Sequence, residues 1–256
     1  MRVAVFGAAG WLGRAIITNV QASHDVVAVD LSACSWEKWN DVDPEWNGKV
    51  IHGDINDYSH VEKVISEVDS VIHATVCPSD EPYSYGLDDV DPFQINLKGL
   101  WNLLDVCRKK KMRRVVHIGS CQTIHPRGVF FESEIRRPDG SLYAVTKRLQ
   151  EEMCRQFFEA FGLSIIVLRP DFIVDSRLGI GKKRQKLGSI HGNPVRNGWV
   201  CRHDLAEATK LALEAKHISF DIFHIVGTSE AEKTCNVKRA KELLGLKYSA
   251  NLMQFR

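Results

Sequence analysis

Neither sign of charge dominates this sequence. Its 34 lysines and arginines face 32 aspartates and glutamates, a net charge of +2. Bulk electrostatics therefore nominate no polyanionic partner, and nucleic acid is not expected. A long apolar run is missing as well. Nothing approaches the ~18 residues of a membrane-spanning helix, so no membrane partner is expected. Seven cysteines are present, but none is paired at CxxC spacing. That scatter argues against a zinc cluster and a secreted disulfide framework, and for reduced, buried thiols in a cytoplasmic protein. The ten histidines show no HxH or HExxH spacing, so no metal is expected. Internal repeats and low-complexity tracts are absent. The apolar start Val3-Ala4-Val5-Phe6 is too short for a signal peptide, and it runs into a glycine loop that a signal peptide would not need.

What is present is an ordinary globular composition. The 256 residues are 44% hydrophobic and 26% charged, enough for one large α/β unit with its own core. Short β-branched runs at Val3–Phe6, Val26–Val29, Lys49–His52, Ser70–Ala74, Val115–Ile118, Ser164–Leu168 and Ile222–Val226 read as strands. Most are apolar throughout, as expected for strands covered on both faces of a parallel sheet. Helical patterns lie between them at Leu12–Gln21, Tyr58–Glu67, Pro92–Lys109 and Leu142–Phe161. The alternation predicts a Rossmann-type doubly wound α/β fold. Residues 179–198 lack periodicity and are expected to be a loop. A helix near Asp204–Lys216, a strand and a helix near Val237–Leu244 follow. The predicted division is a dinucleotide-binding part, residues 1–175, and a small substrate-binding cap, residues 176–256, on the carboxyl edge of the sheet, within one unit.

Gly7-Ala8-Ala9-Gly10-Trp11-Leu12-Gly13 sits between the first strand and the first helix. Glycines spaced GxxGxxG there allow a tight turn, close approach of backbone to a pyrophosphate, and helix-on-strand packing, and the helix N-terminus faces the phosphates. Gly7, Gly10, Trp11, Leu12 and Gly13 are thus candidate cofactor contacts. Asp30 ends the second strand, where a carboxylate accepts from ribose hydroxyls and repels a 2′-phosphate, which predicts NAD over NADP; Leu31 follows it. Asp54 and Ile55 after the third strand, and Ala74 and Thr75 after the fourth, continue the cofactor-binding edge.

Tyr143 and Lys147 are four residues apart in a helical stretch and so share a face. A neighbouring ammonium lowers a phenol's pKa and makes its phenolate usable as a base. Ser120 stands where the fifth strand ends, the edge at which open sheets bind ligands, and can hydrogen-bond a substrate oxygen beside Tyr143.

With these motifs, and with Asn96-Leu97-Lys98-Gly99, Arg169-Pro170 and His203-Asp204-Leu205-Ala206, the chain resembles the extended short-chain dehydrogenase/reductases, the NAD-dependent epimerase/dehydratase group, along nearly its whole length. Within that group, Gly119-Ser120-Cys121-Gln122-Thr123-Ile124, Arg137-Pro138-Asp139-Gly140, and Arg196 with Trp199 and His203-Asp204 are similar to the short uronate dehydrogenases. The resemblance implies Tyr143 as general base, Lys147 on the nicotinamide ribose, Asn96 at the cofactor, and Ser120, Cys121, Gln122 and Arg196 at the substrate. Cys121-Gln122 replaces the Asn-His pair of those enzymes. It also implies a homodimer through the helices at Pro92–Lys109 and Leu142–Phe161, and NAD-dependent oxidation of a sugar or sugar acid. Two other readings stay open: epimerisation or dehydration with no net redox, and a non-catalytic NAD-sensing protein, against which an intact Ser120, Tyr143 and Lys147 argue. The brevity of the chain after Pro170 favours net dehydrogenation over a nucleotide-sugar enzyme.

Overall fold

The computed structural model describes residues 1–77, 92–126 and 136–256. The apolar runs become parallel strands: β1 (Arg2–Phe6), β2 (Asp25–Asp30), β3 (Lys49–His52), β4 (Ser70–His73), β5 (Arg114–Ile118) and β6 (Ile165–Pro170). Three short strands, β7 (Phe172–Asp175), β8 (Ile180–Gly181) and β9 (Trp199–Cys201), form a small separate sheet, and β10 (Phe220–Ile225) returns to the first. The order across the main sheet is β10-β6-β5-β4-β1-β2-β3, with every pair parallel. The chain reverses its direction of travel between β1 and β4, and the carboxyl ends of these two strands are where a doubly wound sheet opens a ligand crevice.

Among the described residues, seven α-helices accompany it: α1 (Trp11–Val20), α2 (Cys34–Glu37), α3 (Tyr58–Ile65), α4 (Gly99–Lys109), α5 (Leu142–Phe161), α6 (Arg202–Glu214) and α7 (Lys238–Leu244). Successive strand residues point to opposite faces, so an all-apolar strand serves two cores. Val3, Val5, Ile72, Val116 and Ile166 join α1, α6 and α7 on one face. Ala4, Phe6, Val71, Val115 and Ile165 join α3, α4 and α5 on the other. Local chemistry sets the helix ends. Asp57 accepts from the N–H groups of Ser59 and His60 to start α3, Ser141 accepts from Ala144 N–H to start α5, and Gly162, at φ +67°, ends it.

Two expectations differ from the structure. The pattern at Pro92–Lys109 is not one uniform helix: Phe93–Lys98 winds as a π-helical turn before α4. The Asn96 carbonyl there accepts from Gln150 Nε2 at 2.7 Å, which draws it out of the ordinary ladder. Residues 179–198 are also more ordered than a loop. β8 pairs antiparallel with β7, β9 pairs parallel with it, and Leu187 and Trp199 pack with Val174 and Leu252. Backbone bonds such as Leu187 N–H to Gly179 O and Gly181 N–H to Gln185 O hold this segment, and they leave no hydrophobic period to read. Among the described residues no helix is long and apolar enough to cross a membrane.

Candidate active site

Gly7 follows β1 with φ +83°, and a Cβ on it would lie 2.8 Å from the carbonyl carbon of Ala74 and the nitrogen of Thr75. A Cβ on Gly13 would lie 2.0 Å from Gly7 O. Only backbone fits at either point, so the loop seals onto the end of β4 while α1 packs against β1. The first turn of α1 begins with Arg14 N–H bonding Gly10 O at 3.1 Å. The N–H groups of Trp11, Leu12 and Gly13 therefore precede the helical ladder, as an anion-binding helix end requires. The side chains of Trp11 and Leu12 are buried; the Trp11 indole donates to Ile173 O.

Asp30, half-buried, braces this loop. One carboxylate oxygen accepts from Ala9 N–H at 2.9 Å and the other from Leu31 N–H at 2.8 Å. Leu31 itself is exposed. Asp54 is exposed at the end of β3 and accepts from Asn56 N–H, while Ile55 is buried beneath Gly99 of α4. Asn96 is buried and ties three pieces together: its side-chain Oδ1 accepts from Cys77 N–H at 2.8 Å and its side-chain amide donates to Thr146 Oγ1 on α5. The first turns of α1 are covered by Trp36 and Trp39: Arg14 lies over the Trp36 ring, and Trp39 meets Trp11 at 4.9 Å. Arg184 stacks on Trp39 at 4.8 Å and bonds Lys38 O, so it fastens the 179–198 segment to the chain after β2.

The proton-transfer residues meet at the end of β5. Lys147 is buried, and its Nζ donates to Ile118 O at 2.9 Å, two residues before Ser120. The same Nζ is 5.9 Å from the centre of the half-buried Tyr143 ring. Burial pushes the Lys147 ammonium down to about 8. Ser120 Oγ accepts from Gln122 N–H at 3.1 Å, starting the short turn Cys121–Thr123 and leaving its own hydrogen to donate elsewhere. Arg148 donates to Thr123 O, Asp139 O and Arg137 O, which pins this turn and the Asp139 strand of chain to α5.

The expected substrate residues do not all converge. Gln122 is half-buried, with its amide 3.5 Å from Asp139. The Cys121 thiol is closed off from solvent and touches Arg169 O and His224 Nδ1. Arg196 is exposed and lines a hollow of about 310 Å³ with Ser189, Asn197, Thr228 and Arg256, a lining that does not include Ser120, Tyr143 or Lys147.

Sequence reading missed a buried layer behind the site. His73 and His117 are register partners on β4 and β5, and their Nδ1 atoms lie 2.9 Å apart. One must donate and the other accept, so the accepting ring is neutral, and burial disfavours the charged form of both. Burial, then the Lys147 charge, pushes His73 down to about 3. Arg202 was missed too. It lies over Trp11 and pairs with Asp175 and Asp43. Burial opposes the Asp175 charge, but hydrogen bonds from His203, Arg202 and Leu178 N–H hold its carboxyl well below the usual range. Strand register and contacts across 27 and 159 residues create these groups, so no local motif announces them.

Comparison with known proteins places this geometry. The chain is 28% identical over 171 residues to uronate dehydrogenase from Agrobacterium fabrum (strain C58 / ATCC 33970), covering 66% of this chain and 60% of that protein. It is 27% identical over 177 residues to UDP-glucuronate 4-epimerase 2 from Arabidopsis thaliana, covering 65% of this chain and 41% of that one. The chain thus spans less than two thirds of these curated relatives. Its backbone is similar to that of UDP-glucuronic acid 4-epimerase from Bacillus cereus, solved in complex with UDP-glucuronic acid and NAD: the TM-score is 0.77, identity is 20%, and the match covers 100% of this chain and 96% of that one. Residues 3–174, from β1 to β7, match the family's sequence profile, and the chain belongs to the NAD dependent epimerase/dehydratase family.

Proposed function

We propose that this protein is an NAD-dependent oxidoreductase that oxidises a hydroxyl of a sugar or sugar acid, with residues 1–175 holding the cofactor and residues 176–256 completing the substrate side. One observation carries the reading: the buried Lys147 ammonium is fixed on the carbonyl of Ile118, beside Tyr143 and two residues before Ser120. Burying an ammonium at the open end of a sheet strand costs free energy, and such strongly shifted groups in a crevice mark candidate functional sites.

The crevice fits a dinucleotide. Gly7 and Gly13 leave room only for backbone, the first N–H groups of α1 face outward for a pyrophosphate, and Asp30 ends β2 with a half-buried carboxylate. Gly10, Trp11 and Leu12 contribute backbone, Leu31, Asp54 and Ile55 the adenine side, and Ala74, Thr75 and Asn96 the far side. Asp30 would repel a 2′-phosphate, which favours NAD over NADP. NAD, when bound, supplies the hydride acceptor. Ser120 donates its free hydrogen to the substrate oxygen. Tyr143 takes the hydroxyl proton, and the Lys147 cation nearby stabilises the phenolate. Gln122 offers an amide to the sugar and Cys121 contributes backbone only; a guanidinium suits a substrate carboxylate as a two-pronged donor, but Arg196 lines a hollow apart from Ser120, Tyr143 and Lys147 and is not assigned to this site.

Two wider assignments accompany this. A homodimer through α4 and α5 would cover Trp101 and Leu149, each 45% exposed. Seven free thiols, six of them buried, suit a reducing compartment, and we assign the protein to the cytoplasm.

The test is absorbance at the reduced-nicotinamide band with NAD and a panel of free uronic acids, neutral sugars and nucleotide sugars. NADH formed with a uronate, lost in Tyr143→Phe while NAD binding persists, is the expected result. The 4-epimerase relatives favour a second reading in the same site: isomer exchange without net NADH in that mixture would establish it. Biological activity that survives Tyr143→Phe would overturn both and leave the sensing reading.

A further inference from the structure

Beneath the turn that begins at Ser120 lies a group of reactive side chains that the proposed chemistry does not use. Cys121 and Cys235 pack in one small buried cluster with Val226, Ala231 and Val237, and their thiols are hydrogen-bond partners. They are 114 positions apart in sequence, and Cys235 arrives on the segment after β10. The Cys121 Sγ also lies 3.1 Å from Arg169 O and 3.3 Å from His224 Nδ1. One S–H cannot serve all three neighbours.

The surrounding charges divide the two sulfurs. Arg169 can only donate, so its Nη1, 3.4 Å from His224 Nε2, makes that nitrogen an acceptor and puts the imidazole proton on Nδ1, facing the sulfurs. Arg169 is itself held by Glu151 at 2.7 Å. Burial, and then its partner thiol, keep the proton on Cys121. Donation from Cys121, opposed by burial and reinforced by His224, pulls the Cys235 thiol down. His125, Asp171 and the buried Tyr248 are the other titratable groups facing the pair. A sulfur with thiolate character beside a second thiol is a pair in which a sulfenic acid on one can be resolved by the other.

We propose that Cys121 and Cys235 are a redox-modification site: a hydroperoxide oxidises the pair to a disulfide, which drags the turn started by Ser120 out of position. The Cys235 thiolate attacks one peroxide oxygen; the S–O bond forms, the O–O bond breaks, and the departing hydroxide takes a proton from solvent to become water. The Cys121 sulfur then attacks the Cys235 sulfenic acid; the S–S bond forms, the S–O bond breaks, and the second hydroxide leaves as water with the Cys121 proton. Two thiols lose two electrons, and one peroxide becomes two waters. A dithiol reverses the step by exchange.

Only the effect on turnover rests on the oxidoreductase reading; the disulfide does not. The experiment treats the full chain with hydrogen peroxide near neutral pH, blocks remaining thiols with an alkylating reagent, and maps the cysteines by mass spectrometry. The expected product is one cross-linked peptide pair carrying Cys121 and Cys235, restored by dithiothreitol. These thiols should disappear at least about tenfold faster than those of Cys107 and Cys154, whose pKa values burial raises. Cys235→Ser should abolish the cross-link and leave Cys121 a thiol. Cys121→Ser should leave a Cys235 sulfenic acid that dimedone captures. Any NADH-forming activity should fall with the cross-link and return with dithiothreitol in the natural protein, and should resist peroxide in Cys235→Ser. If Cys121 and Cys235 stay thiols while the exposed Cys34 is oxidised, or if each goes separately to a sulfinic acid, the proposal is wrong.

Discussion

At Lys147, burial opposes the charge that the chemistry needs. The ordinary lysine value of 10.5 falls to about 8 in the folded protein, so the unfolded chain holds its proton to higher pH than the folded one. Stability must then rise as pH climbs from about 8 to about 10.5, because charging Lys147 costs the native state there. The ammonium form costs about 3 kcal/mol by that shift. Lys147→Met removes this cost but orphans the Ile118 carbonyl. The expected outcome is a net gain of about 2 kcal/mol in denaturant unfolding at pH 7, with turnover lost. A variant that is less stable and still active would contradict the role given to the residue. The residues of the candidate site were largely legible: Gly7 to Gly13, Asp30, Ser120, Tyr143 and Lys147 each sit in a short spaced motif whose geometry follows from one strand end or one helix turn. The His73–His117 pair and the Cys121–Cys235 cluster were not, because strand register and a chain crossing bring them together.

Among the elements, the join between β1 and α1 depends on a missing side chain. Gly13→Ala would press a Cβ into Gly7 O from 2.0 Å. Backbone must move, so the expectation is a destabilisation of about 3 kcal/mol and loss of NAD binding by titration calorimetry, while Gly140→Ala, with no atom within 4 Å of its Cβ, changes neither. Six of the seven described α-helices and the strands of the main sheet are readable from their periods and turn signals; α2, four residues with none buried, has no period to read. The small sheet was not: β7, β8 and β9 are two to four residues long, and glycines at positive φ and backbone bonds organise them. A basic run at Arg108–Arg114 illustrates the other outcome. Asp105, one turn earlier, pairs with Arg108 and Lys109, and Arg114 turns inward to Ala215 O, so these three residues serve the helix end and the core.

For the whole molecule, the first 175 residues do not close the fold. α6 and β10, both later in the chain, cover one face of the main sheet and the outer side of β6. A chain ended at Asp175 should therefore show no cooperative thermal unfolding and should bind a hydrophobic dye, whereas a sharp transition in the fragment would show that the first part folds alone. The assembly prediction lives at the same scale. Trp101→Glu combined with Leu149→Glu places charge on both helices assigned to the dimer, and sedimentation should move from dimer to monomer mass without a change in far-ultraviolet dichroism.

The position of β10 also matters for how the protein is made. β6 ends at Pro170, and β10, the strand that covers its outer edge, begins only at Phe220. Ribosomes add about 5–20 residues per second, so roughly 3 to 10 seconds separate the emergence of the two. During that interval the nascent chain presents the uncapped hydrogen-bonding edge of β6, a run of Ile165, Ile166, Val167 and Leu168, to anything nearby. Slower translation of the 170–220 stretch should lower the yield of native protein in a chaperone-poor lysate, although the finished sequence is unchanged.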